Sequence, residues 1–270
     1  MHNEKTPARA SETRPLRPLS GTRLVPPVGK NEVCRPRPIW VVPGETNHPM
    51  VRQRVRIRFR KEGDLRLVGH RDLLRLLERA FRRAKLPVSL SEGFNPRPRM
   101  SFPLALALGI AARREVLELE LDEPLSPDDL RVRLAAELPP GLEIVSVEPL
   151  AGRRKGRAVA VRYELPVPAQ RAAAAQTSAA EFLAGSECWV RRQGKRRPID
   201  LRSLVLDLGV RGGWLHLRLR VTPEASARPE EVLAALGLRD LLDEGRFLAR
   251  TDVELDDPPT VLPEKPVDRA

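Results

Sequence analysis

The chain has 270 residues, 41% of them hydrophobic, which is enough for a core and allows one large domain or two small ones. Its formal charge is +12, and lysine stands only at positions 5, 30, 61, 85, 155, 195 and 265 among 48 basic residues, so guanidinium groups carry the excess. Cys34 and Cys188 are far apart and outside any C-x-x-C pattern, the first residues have no apolar h-region, and no apolar run of about 18 residues occurs. These features argue against a disulfide framework, a zinc site, secretion and membrane spanning, and a reducing cytoplasm is the expected compartment.

Arginine suits planar, bidentate contact with phosphate or carboxylate. A bias towards Arg, Ala, Leu and Pro across a whole proteome would give a similar composition, so both meanings stand until particular arginines are placed. Residues 1–50 are rich in proline and basic residues and their hydrophobics follow no period, which predicts a disordered basic arm. Residues 256–270 are expected to be a tail of the same kind.

Order is expected from VRQRVRIRFR, where Val51, Val55, Ile57 and Phe59 alternate with arginines as in a strand. HRDLLRLLERAFRRAK follows as an amphipathic helix, with Leu73, Leu77, Ala80, Phe81 and Ala84 on one face and Arg71, Arg75, Glu78 and Arg82 opposite. RMSFPLALALGI and REVLELELDEP read as two strands joined by a turn at Ala111 to Arg113. A second helix starts at Ser126 as N-cap, with Pro127, Asp128 and Asp129 in its first turn, and LEIVSVEPL closes the set as a strand. The same order then repeats: strand RAVAVRYEL, an Ala-rich helix from Ala169 to Leu183, strands LRSLVLDLGV and GWLHLRLRV turning at Arg211-Gly212, helix RPEEVLAALG, strand RFLARTDVEL. The expected fold is α+β, with two tandem ferredoxin-like βαββαβ units and antiparallel sheets, at 51–150 and 151–255.

SEGFNPRPRMSF, between the first helix and the next strand, is the most distinctive stretch. Pro96 and Pro98 fix their own φ and bias Asn95 and Arg97 towards extended backbone, and Gly93 permits a turn that a side chain would obstruct. Arg97 and Arg99 are two residues apart, so an extended chain projects both to one side, about 6 to 7 Å apart, near the spacing of successive phosphates. Phe94 is read either as a plug beneath a tight connection or as an apolar anchor for a partner. His70 and Asp72 at the start of the basic helix are weak candidates for an acid–base pair, or for a simple helix start. GKRRPIDLR occupies the matching place in the second set, where Lys195, Arg196, Arg197 and Arg202 form a second basic approach and Asp200 is an expected partner for one of the arginines. Phosphate-loop, dinucleotide-binding, zincin and nucleophile-elbow motifs are absent from the sequence, as is the aromatic signature of RNA-recognition sheets.

The stretch VGHRDLLRLLERAFRRAKLPVSLSEGFNPRPRMSFPLALALGI, with KRRPIDLRSLVLDL and RPEEVLAALGL, resembles the bacterial radical-SAM-linked protein family, a domain of unknown function (DUF2344) that stands alone or is fused behind a B12-binding radical-SAM domain. The resemblance spans about residues 52–255. It picks out His70, Asp72, Arg75, Glu78 and Arg79; Ser91, Gly93, Phe94, Asn95, Pro96 and Pro98; and Asp200 and Arg202. The family commonly has His where Arg97 stands and Ser where Gly69 stands. The C-x-x-x-C-x-x-C run that holds a radical-SAM iron–sulfur cluster is absent, so the resemblance implies an accessory module with no cofactor of its own and a separate B12-binding radical-SAM protein as partner.

Three functions are then open. The leading expectation is an accessory protein binding tRNA or rRNA through Arg71, Arg75, Arg82, Arg97, Arg99 and the second basic approach. The alternatives are a module docking on a separate radical-SAM enzyme through Phe94, and a ribonuclease-like enzyme using His70.

Overall fold

The computed structural model describes residues 53–256 apart from 153, 195, 196 and 224. The expected arm over residues 1–50 and all but the first residue of the expected tail lie outside the described residues. The first half runs β1 (Gln53–Lys61), α1 (His70–Arg83), β2 (Met100–Ser101), β3 (Ala111–Leu121), α2 (Pro127–Ala135) and β4 (Leu142–Leu150). The second runs β5 (Ala158–Pro166), α3 (Ala169–Ala184), β6 (Trp189–Val190), β7 (Ile199–Asp200), β8 (Val205–Arg211), β9 (Trp214–Arg220), α4 (Pro229–Ala235), α5 (Asp240–Asp243) and β10 (Ala249–Leu255). The architecture is therefore mixed α+β with a mostly antiparallel sheet. None of the helices among the described residues is long and apolar enough to cross a membrane.

One sheet joins both halves in the order β4-β1-β3-β10-β5-β9-β8, with β2 beside β3 and the short pair β6-β7 apart. The joint is parallel, Ala249 opposite Ala111 and Arg250 opposite Ala112, whereas the other pairings are antiparallel. Period-2 alternation turns Val55, Ile57, Phe59, Leu117, Leu119 and Leu121 into one core with Leu73, Leu77 and Phe81 of α1 and Leu130 and Leu134 of α2. A second core gathers Val161, Leu165, Leu215, Leu217 and Leu219 with Ala175 and Ala179 of α3 and Val232 and Leu233 of α4. The Ser126 cap forms as its position implies, its hydroxyl accepting the Asp129 amide at 3.1 Å.

The expected strand RMSFPLALALGI is corrected to the two residues of β2, and Ala111 to Arg113 lie inside β3 rather than in a turn. The edge of β3 is shared: β10 takes Ala111 and Ala112, and β2 takes Leu119 and Glu118. Pro103 has no amide to donate, and the chain leaves the sheet after Ser101, sinking Leu106 and Ile110 into the second core. Leu106 and Ile110 are buried while Leu108 is 65% exposed and Gly109 turns at φ +83°, so the alternation in LALALGI marks no ladder.

On β1 the alternate residues are arginines, and they meet carboxylates. Arg54 and Arg56 both bind Glu118, at 2.8 and 2.7 Å, and Arg58 reaches Asp252 at 2.9 Å. The segment from β4 to β5 covers this network: Arg54 donates to the carbonyls of Gly152 and Arg154, and the Gly156 amide donates to Glu118 Oε1 at 3.1 Å. A Cβ at Gly156 would stand 2.7 Å from Arg56 Nη2 and 2.9 Å from Glu118 Oε1. Gly156→Ala is therefore expected to lower the unfolding free energy by about 1–3 kcal/mol, the usual cost of overpacking, in urea unfolding followed by circular dichroism.

Candidate functional site

The loop 91–97 projects from the β2 edge of β3 and is fastened at its neck. Ser91 donates its amide to the Arg97 carbonyl at 2.8 Å and its hydroxyl accepts the Arg97 amide at 3.0 Å, while Leu90 and Pro98 form a β-bridge. Gly93 takes φ +121°, open to glycine and strained for other residues. At the tip Phe94 is 105% exposed, so it is not a plug beneath the loop. Arg97 is exposed, and its side chain bonds to no other described residue. Arg99 is placed differently: Nε donates to the Leu90 carbonyl at 3.0 Å, and the guanidinium lies 3.4 Å from Glu92 and 3.9 Å from Glu120. The two arginines thus do not act as an equivalent pair, because a backbone carbonyl and two carboxylates engage one of them.

On α1, Arg71, Arg75 and Arg82 are all exposed. Arg75 binds Asp72 at 3.2 Å, while Arg71 and Arg82 have no such partner among the described residues. Asp72 is therefore turned to Arg75. His70 packs edge-on against Phe102, ring centroids 5.1 Å apart, and its Nδ1 is buried with no hydrogen-bond partner among the described residues. The acid–base pair expected from these two side chains is not assembled here.

In the second basic approach, Lys195 and Arg196 lie outside the described residues and Arg197 is exposed. Among the described residues Asp200 pairs with no guanidinium. Its carboxylate accepts the amides of Cys188 at 2.8 Å, Arg202 at 3.0 Å and Ser203 at 3.3 Å. Burial, the largest single influence, acts to raise its pKa, but the amides of Cys188 and Arg202 and the groups of Ser203 together hold it below the ordinary aspartate value. Arg202 turns inwards to the end of α3, donating to the carbonyls of Leu183 at 2.9 and 3.1 Å and Gly185 at 3.2 Å. It satisfies carbonyls that the helix end leaves open.

Arg202→Ala should therefore lower stability by about 1.5–3 kcal/mol, the worth of charged hydrogen bonds, in urea unfolding at neutral pH. Asp200 adds a pH signature. With its folded pKa depressed, its contribution is full above the unfolded value of about 3.9 and is lost as pH falls through the folded value. The stability gap between the protein and Asp200→Asn is expected to narrow on acidification through that window, with no change between pH 6 and 8.

Sequence reasoning missed a second feature, a cavity of about 1180 Å³ lined by Arg191, Arg220, Arg239, Arg250 and Tyr163. Beneath it Arg250 Nη1 meets Glu115 Oε2 at 2.9 Å, with side chains 3% and 0% exposed. Lys61, also buried, donates to the Val68 carbonyl at 3.0 Å. Burial pushes the Glu115 carboxyl up, against the pull of Arg250, and burial pushes the Lys61 ammonium down. Cys188 borders the same cavity as a free thiol whose pKa is raised, first by burial and then by Asp200, so it is not activated as a nucleophile. Among the described residues no group of three or more His, Cys, Asp or Glu is placed to hold a metal ion.

Residues 54–230 match the family model described as an uncharacterized protein conserved in bacteria (DUF2344). The chain belongs to the DUF2344 family. The match takes in α1, the projecting loop, the Asp200 turn and Arg220 of this DUF2344 protein, and ends before Arg239 and Arg250. No curated protein matches it. A crystal structure of an unknown protein from Galdieria sulphuraria is similar over 76% of this chain and 98% of its own, at 12% identity and a TM-score of 0.23, a likeness that bears no argument on fold or function.

Proposed function

We propose that this DUF2344 protein is a non-catalytic accessory factor that binds RNA, with the loop 91–97 as its point of contact. The observation that carries the reading is the loop tip, where a fastened neck presents a fully exposed Phe94 ring beside an exposed Arg97. Single-stranded RNA is held by stacking bases on aromatic rings and by basic groups on its phosphates, which are the two chemistries the tip offers. The exposed guanidiniums of Arg71, Arg82 and Arg197 would extend the phosphate contacts. tRNA and rRNA loops are the substrates in view, in a cytoplasmic setting.

Each half is read as one ferredoxin-like unit, which the strand orders β4-β1-β3-β2 and β10-β5-β9-β8 support. Exposure of Phe94 also favours a second reading, docking on a separate B12-binding radical-SAM protein, whose iron–sulfur chemistry would reside on that partner.

A salt titration tests the first reading. Binding of single-stranded RNA should weaken linearly in log–log form, and Arg97→Ala should reduce the slope by about 0.7, the increment that one neutralised phosphate of a single strand contributes. Affinity indifferent to salt, or a slope unchanged in that variant, sinks the proposal.

A further inference from the structure

The cavity beside Arg250 has no part in the loop reading, and its walls carry a positive excess. Among the described residues six arginines line it, against Glu230 and Glu231. Arg192 is already engaged, holding Glu231 through two bonds of 2.6 Å and the Ser226 carbonyl at 2.7 Å. Arg191, Arg220 and Arg239 are exposed and make no side-chain hydrogen bond or ion pair with another described residue. Uncompensated guanidiniums around one concavity focus potential for an anion, and their planar forks fit phosphate oxygens.

A second observation lies on the floor. Arg250 is 2% exposed, and its Nη atoms are taken by Glu115 and the Ala105 carbonyl. The Tyr163 ring centroid lies 5.7 Å from the Arg250 guanidinium, and Leu104, Val161 and Leu219 supply apolar wall. At about 1180 Å³ the space exceeds what a lone ion requires.

We propose that this cavity is a binding site for a phosphate-bearing molecule of nucleotide size, its phosphates taken by Arg191, Arg220 and Arg239 and its body by the apolar wall. The ligand is either a free nucleotide or the phosphorylated end of an RNA, which share this chemistry.

Equilibrium dialysis of the full chain with ATP, adenosine and inorganic phosphate tests it. ATP should bind at least tenfold more tightly than adenosine, and Arg220→Gln and Arg239→Gln should each weaken ATP at least fivefold with Tm unchanged. Both side chains are exposed, so folding is not at stake. Competition separates the sources: displacement of ATP by a 5′-phosphorylated RNA octamer but not by its 5′-hydroxyl counterpart assigns the RNA end, and no displacement assigns the free nucleotide. Phe94→Ala should leave ATP binding intact, so RNA binding can fail without touching this proposal. It is overturned if adenosine binds as well as ATP, if the two arginine variants bind ATP normally, or if ATP binding disappears with Phe94.

Discussion

Glu115→Leu is expected to lower the unfolding free energy by about 3–5 kcal/mol, the cost of leaving a buried charge without its partner. Arg250 would keep the Ala105 carbonyl at 2.9 Å but lose the carboxylate 2.9 Å from Nη1. Lys61 would lose the same anion and retain only its bond to Val68. Arg250→Met should be as damaging from the other side. Yet the three charges are expensive to bury: burial is the largest influence on each, raising the Glu115 carboxyl and lowering the Lys61 ammonium. The combination Lys61→Met, Glu115→Leu and Arg250→Met should therefore recover most of the loss, ending within about 2 kcal/mol of the starting protein, because similar apolar volume replaces the whole cluster. Urea unfolding of the full series measures this. Should the single variants fail to fold, a folded triple variant still supports the account; a triple variant less stable than either single one refutes it.

The cluster sits where the two halves of the sheet meet. Arg250 sits on β10 and pairs with Ala112 at the parallel joint, while Glu115 and Lys61 come from β3 and β1. Its bonds to Ala105 and Leu104 also draw the segment after β2 onto the second core. A mispaired joint would strand three charges in apolar surroundings, so another register of the shared sheet would carry an electrostatic cost.

Local patterns were legible where they decide structure locally. The apolar face of α1, the Ser126 start of α2 and the β8-β9 hairpin follow from spacing, caps and turns within one element. LALALGI misleads because period 2 in residue type does not oblige the backbone to follow it: the chain turns at Gly109 and leaves Leu108 exposed. Arg99 and Arg202 look like ligands in sequence, but each is within reach of a carbonyl that has no better donor. The Arg250–Glu115 pair spans 135 residues, beyond any local pattern, and the cavity above it depends on that closure. Much of the arginine excess is absorbed in this way, on Glu118, Asp252, Glu254, Glu231 and Glu115. The guanidiniums at Arg97, Arg71 and Arg82, and around the cavity, are the ones on which the two proposals draw.

Phe94→Ala is expected to weaken single-stranded RNA binding by about 1–3 kcal/mol, roughly five- to 150-fold, if one base stacks on the ring. The fold should not change, since a side chain 105% exposed contributes no core packing, and the neck bonds between Ser91 and Arg97 use backbone and the Ser91 hydroxyl. Stacking is insensitive to salt, so this variant should lower affinity at every salt concentration while keeping the slope, the reverse of the Arg97→Ala pattern. Phe94→Trp should restore binding because a larger π-face stacks at least as well, whereas Phe94→Leu should not, being apolar without a ring. That last comparison separates the two partners. A protein pocket that accepts Phe94 as an apolar anchor tolerates Leu better than Ala, and RNA treats Leu and Ala alike; recovery of binding in the Leu variant therefore removes the stacking role and favours docking.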